Sequence, residues 1–149
     1  MMLDENKAIV RRLYEECWNQ GKVDILNQII APDCRFHDPV FPSLGSGPEN
    51  LARHVKMCRT AFPDLRFTID DVIAEREEVV VHWTGQGTHR AQFLGIQPTE
   101  RRATVSGTSI SRLKNGKIVE QFADWNLMTM LEQLGVATAP KVQVGARQG

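Results

Sequence analysis

Ile9, Leu13, Tyr14 and Cys17 recur three to four residues apart, the spacing that lays apolar side chains along one stripe of a helix. The pattern predicts a helix from Asp4, a capping residue, to about Gln20, with Gly21 at the position where a left-handed residue ends it. Ile25, Leu26, Ile29 and Ile30 predict a short second helix over 23–30, stopped by Pro32-Asp33. Residues 34–38 read as a short strand halted by Pro39. The stretch 39–48 holds three prolines and two glycines and reads as a loop. Pro48 then opens a helix through Ala61, with Glu49 in its first turn and Leu51, Val55 and Cys58 on one face.

From Arg66 the period changes from helical to two. Phe67, Ile69, Asp71 and Ile73 alternate with Thr68, Asp70 and Val72, and Val79, Val81 and Trp83 alternate with Val80 and His82. A loop over 88–100 precedes a long strand over 101–113. Asn115-Gly116 is a strong hairpin signal, because a type I′ turn needs positive φ at both central residues. The return strand is 117–125, followed by a short helix to Leu134 with Gly135 as its stop. Helices with one early strand, then a four-stranded antiparallel meander, predict an α+β domain. A sheet this long must curl, and helices on its concave side would enclose a cone-shaped pocket.

The chain has 149 residues, the length of one domain, which the pattern places at 1–135 with a loosely ordered tail at 136–149. Its 18 basic and 18 acidic residues cancel, which argues against a broad nucleic-acid surface. No apolar run approaches the roughly 20 residues of a bilayer span, and the charged N-terminus has no secretory core. Cys17, Cys34 and Cys58 are widely spaced and read as buried free thiols of a cytoplasmic protein. The four histidines show no HxH or HExxH spacing, so neither a metal nor a cofactor is expected.

The candidate chemistry lies on the last strand. Alternation puts Ile118, Glu120, Phe122, Asp124 and Asn126 on one face and Val119, Gln121, Ala123 and Trp125 on the other. Asp124 beside Phe122 is therefore the expected pocket carboxylate, since apolar surroundings raise a carboxyl pKa toward the range of a general base. Trp83, Phe62, Met57, Phe36 and Phe122 are expected pocket walls, with Phe93 and Trp125. Ser109 is a candidate donor to a developing oxyanion. His54 reads as solvent-facing or at the pocket edge, and His82 as facing the far side of the sheet. Nucleophile-elbow, P-loop and dinucleotide motifs are absent.

The stretch WTGQGTHRAQFLGIQPTERR, then LKNGKIVEQFADWN and the closing MLEQLGV, resembles the SnoaL-like polyketide cyclases of the nuclear transport factor two-like superfamily. The opening YEECWNQGKVDILNQIIAPDCRFHDP fits the same family, and the match spans roughly residues 5–135. The resemblance implies a curved antiparallel sheet with helices in its mouth, an apolar pocket for a polycyclic or other apolar small molecule, and a homodimer. It implies cofactor-free ring closure with a pocket aspartate as general acid/base. It adds His37, in an HDP step at the pocket mouth, and His89, in GTH, as catalytic candidates. Many relatives carry the acid two residues further on, at Asn126; the alignment favours Asp124, with Asn126 as a substrate-positioning residue. A non-catalytic binding protein, and an isomerase or epoxide hydrolase using Arg112 and Asp124, remain alternatives on the same fold.

Overall fold

The computed structural model describes residues 2–138 and 140. The predicted tail at 136–149 therefore lies mostly outside the described residues.

Helix α1 (Met2–Arg12) runs on into a π-helical turn, Leu13–Trp18. The wider turn buries Leu13, Tyr14 and Cys17 together and closes with Asn19 N–H donating to the Tyr14 carbonyl. Gly21 ends the segment at φ +75°, as predicted. Asp4 lies within the first turn rather than capping it, because the helix already starts at Met2. A 3-10 turn (Val23–Ile25) and helix α2 (Leu26–Ile29) follow, and then strand β1 (Ile30–His37). The expected second helix thus stops one residue early and the strand is longer than 34–38, because Ile30 pairs with Ile118 in the sheet. Tertiary pairing outweighs local helical spacing there. Pro32 is tolerated because β1 is an edge strand, and the pairing slips between Ile30 and Arg35.

Helix α3 (Gly47–Ala61) begins as predicted, with Pro48 in its first turn. Strands β2 (Arg66–Glu75), β3 (Glu78–Thr88), β4 (Arg102–Lys114) and β5 (Lys117–Trp125) form the expected antiparallel meander, and helix α4 (Leu127–Gln133) closes the fold. Asn115 and Gly116 take φ +52° and +76°, which gives the tight turn between β4 and β5. The strand order is β1-β5-β4-β3-β2, with β1 parallel to β5. The sheet is therefore mixed, not wholly antiparallel, and the class is α+β.

The helices cover one face. Val10, Leu13, Ile29, Leu51 and Val55 meet Val79, Val81, Leu113 and Ile118 in the core. β4 alternates strictly, with 103, 105, 107, 109, 111 and 113 inward. Asn19 ties the end of the π-helical turn to edge strand β2, donating to the Phe67 carbonyl (2.9 Å) and accepting from its amide (2.7 Å). Arg59 of α3 donates to the carbonyls of Trp18 and Asn19 (2.8 and 3.1 Å). These bonds hold α1, α3 and β2 around a common opening.

Candidate active site

Between the helices and the inward face of the sheet lies an apolar cavity of about 120 Å³. Its size is comparable to that of engineered cavities of about 150 Å³ that hold one benzene ring. Aromatic side chains dominate the wall: Trp18, Phe41, Phe62, Phe67, Trp83 and Trp125. Phe67 packs edge-on against Tyr14, Trp18 and Trp83, with centroids 5.8, 5.2 and 5.0 Å apart.

One carboxylate stands on this wall among the described residues, and it belongs to Asp38. Asp38 follows the last residue of β1. Its Oδ1 accepts from the amide of Val40 (2.8 Å), a local turn bond that orients the side chain. Its Oδ2 accepts from Trp125 Nε1 (3.3 Å). His54 of α3 also lines the cavity, with its ring against Phe41 (4.6 Å) and its Nε2 3.8 Å from Cys58 Sγ. Burial pushes the His54 pKa below its usual value, only partly offset by the charge of Asp38, so the ring is neutral at pH 7. Burial also pushes the Cys58 thiol up to about 12, with Asp38 adding to the shift, which leaves it unreactive.

On the opposite side of the cavity, Tyr14 Oη donates to Ser109 Oγ (2.7 Å), and Trp83 Nε1 donates to the same oxygen (3.0 Å). Burial raises the Tyr14 pKa to about 12, against the lowering effect of the Ser109 bond. Gln121 lines the cavity and donates to Ser111 Oγ (3.0 Å). Trp83 reaches Ser109 because Gly107 lies beneath its indole; a Cβ there would come within 2.3 Å of the ring.

Several expectations are corrected. Asp124 lies on the outer face of the sheet, exposed and paired with Thr108. Alternation along β5 is interrupted: Leu113 pairs with Ile118 but Arg112 with Glu120, so Val119 is an extra residue. Ile118 is buried in the core, yet beyond the bulge it is Gln121, Ala123 and Trp125 that line the cavity. Phe122 is outward and 38% exposed, stacked on His37 (4.4 Å). His37 is therefore also outside, donating or accepting at Glu120 Oε2 (2.8 Å), while its neighbour Asp38 faces the cavity.

Glu120 is joined by Arg112 (2.6 Å) and Arg35 (3.2 Å) as well. Arg112 thus serves Glu120 rather than Asp124, which removes the epoxide-hydrolase pairing. Asn126 caps α4, accepting from Thr129 N–H (3.0 Å), and does not line the cavity. Met57 is exposed on α3, and Phe36 is packed in the core away from the cavity wall. His89 is fully buried but off the wall. Its Nδ1 accepts from Thr99 N–H (3.2 Å), which anchors the 89–101 loop, and its ring stacks on Phe62 (5.4 Å). Nε2 then carries the proton and has no partner.

Trp83, Phe62, Ser109, Phe93 and Trp125 do line the cavity, and His54 joins them. His82 faces the far side of the sheet, as its alternation with Trp83 indicates. Tyr14, Asp38, Phe41 and Phe67 escaped the sequence reading. The signal for Asp38 was the turn-forming Asp-Pro step after a strand; nothing local marks Tyr14, which shares a helical stripe with plain core residues.

The sequence profile of the SnoaL-like polyketide cyclases matches residues 8–134. The chain is 28% identical over 120 residues to the nogalonic acid methyl ester cyclase of Streptomyces nogalater, covering 79% of this chain and 89% of that protein. Among solved structures it is similar to IdmH from Streptomyces antibioticus, with TM-score 0.76 and 29% identity over 88% of this chain and 99% of that one. It is also similar to TsrD from Streptomyces laurentii, with TM-score 0.82 and 22% identity over 90% and 97% of the two chains. The latter likeness is one of fold.

Proposed function

The chain belongs to the SnoaL-like polyketide cyclase family, and we propose that it closes a ring in a polyketide-like small molecule with Asp38 as general acid/base and no cofactor. The observation that carries this reading is the position of Asp38, the single carboxylate among the described residues on the wall of an aromatic cavity. The carboxylate removes a proton from carbon next to a carbonyl. The resulting enolate carbon attacks a second carbonyl of the same molecule, forming the C–C bond. The alkoxide so produced takes the proton back from the Asp38 carboxylic acid. Bonds from Trp125 Nε1 and the Val40 amide hold the carboxylate in place, and holding the two reacting carbons together removes much of the entropic barrier. A cavity of about 120 Å³ admits about one ring, so a larger substrate keeps its remainder at the mouth.

Nogalonic acid methyl ester, the compound in the name of the Streptomyces nogalater relative, and a panel of β-dicarbonyl compounds are the substrates to test. Asp38→Asn keeps shape but removes the proton acceptor. Its kcat is expected to fall at least roughly 10²-fold with KM little changed, whereas Asp124→Asn stays within about twofold of the parent. An Asp38→Asn variant with full activity overturns the mechanism, and an inert parent that binds these compounds supports the binding-protein alternative.

We further propose that two copies pair through the uncovered sheet face. Ile73, Val80, Ile110 and Phe122 form one continuous row across β2, β3, β4 and β5. The next row runs Glu75, Glu78, Arg112, Glu120 and Arg35, acidic at the β2 side and basic at the β1 side. A two-fold axis normal to the sheet lays the acidic end of one copy over the basic end of the other.

A further inference from the structure

We propose that the Tyr14–Ser109–Trp83 side of the cavity is a subsite for a hydrogen-bond-accepting oxygen, the carbonyl of a ketone or ester. The argument is one of hydrogen count. The three side chains bring three polar hydrogens, one each on Tyr14 Oη, Ser109 Oγ and Trp83 Nε1, but only two oxygens. Trp83 donates to Ser109 Oγ at 3.0 Å, and one hydroxyl hydrogen is used in the 2.7 Å bond between Tyr14 and Ser109. Whichever hydroxyl donates in that bond, the other keeps its hydrogen, and no acceptor for it exists among the described residues. The three residues are 4%, 2% and 6% exposed, and all line the cavity. A buried donor without a partner is costly, so the cavity is poised for a ligand that supplies the acceptor.

The arrangement is built rather than incidental. The π-helical turn brings Tyr14 inward, and Gly107 leaves the space across which the Trp83 indole reaches Ser109. The phenol keeps its proton well past neutrality, so the pair donates over the whole working range. The only carboxylate on the wall belongs to a separate group of side chains, with Trp125 and the Val40 amide as its partners. A carbonyl held by the spare hydroxyl thus has its own donor. As the oxygen becomes an enolate, the bond strengthens, which favours the transition state over the bound ketone. This consequence for rate rests on the ring-closure reading above; the subsite itself does not.

The probe is acetophenone, compared with α-methylstyrene, which has the same shape and no acceptor. In the wild-type protein, the isotope-edited carbonyl stretch of bound acetophenone is expected at lower wavenumber than in alkane. Acetophenone should also bind roughly tenfold tighter than α-methylstyrene after correction for their transfer from water. Tyr14→Phe leaves the Ser109 hydrogen spare and should retain the downshift. The apolar triple variant Tyr14→Phe/Trp83→Phe/Ser109→Ala should lose both the downshift and the preference. An alkane-like stretch in the wild type, or no preference for the ketone, overturns the subsite whether or not the triple variant folds. Asp38→Asn separates the two proposals. The stretch should be unmoved in that variant while ring closure is lost; ring closure retained with the downshift present sinks the Asp38 mechanism and leaves the subsite standing.

Discussion

Two titratable side chains tie stability to pH in successive windows. Burial disfavours the charged form of His54, so it binds its proton more weakly folded than unfolded. Stability is full above the usual value of 6.5 and declines as pH falls from there toward the lower folded value. Glu120 is held below the usual 4.5, first by the His37 hydrogen bond and then by the charges of Arg35 and Arg112, against the opposing effect of burial. Its contribution is present above pH 4.5 and is lost as pH falls through the depressed folded value. Thermal midpoints from pH 8 to 3 should therefore drop in two steps, with His54→Gln erasing the first and Glu120→Gln the second; a midpoint flat between pH 7 and 5.5 contradicts the first. Burial also lifts the thiols of Cys17, Cys34 and Cys58 to about 12 each. A chromogenic thiol reagent should label none of them in the native protein and all of them in denaturant. Rapid native labelling would show that the helical layer opens.

At the level of elements, the cavity depends on departures from regular geometry. The π-helical turn in the first helix turns Tyr14 inward, the bulge at Val119 reverses which face of β5 meets the cavity, and Gly107 lets an indole cross β4. Gly107 is the most easily tested. Alanine there places a Cβ against the Trp83 ring and within 2.8 Å of the Asp124 carbonyl, so the indole must leave Ser109. Gly107→Ala should cost about 1–3 kcal/mol of stability, read by denaturant midpoint, and shift the tryptophan emission. Parent-like stability with unchanged emission would show that the indole is free to move. The 115–116 turn, by contrast, faces nothing at Gly116 and serves only the hairpin.

For the molecule as a whole, the uncovered sheet face decides the assembly. Ile73, Ile110 and Phe122 are 57%, 38% and 38% exposed and lie in one row, an apolar strip of the kind that marks an interface. Light scattering at micromolar concentration should return the mass of two chains, and the double variant Ile110→Lys/Phe122→Lys that of one. A parent that is monomeric, with no trend on dilution, overturns the pairing.

Much of this architecture was legible along the chain. The meander, the Asn115-Gly116 turn, Pro48 opening α3 and Gly21 ending the first helical segment are local features, each set by a backbone preference or a period within a few residues. Trp83, Phe62 and Ser109 were legible as cavity residues because strand alternation or a helix end placed them inward. What sequence alone could not assign was which side of β5 meets the cavity and which carboxylate stands there. A single extra residue at Val119 changes the parity of everything after it, so Asp124, Phe122 and His37 face outward while Asp38 faces in. Alternation determines which residues share a face; only packing of the helices against one side of the sheet decides which face is buried, and a bulge in the ladder has no signature in periodicity.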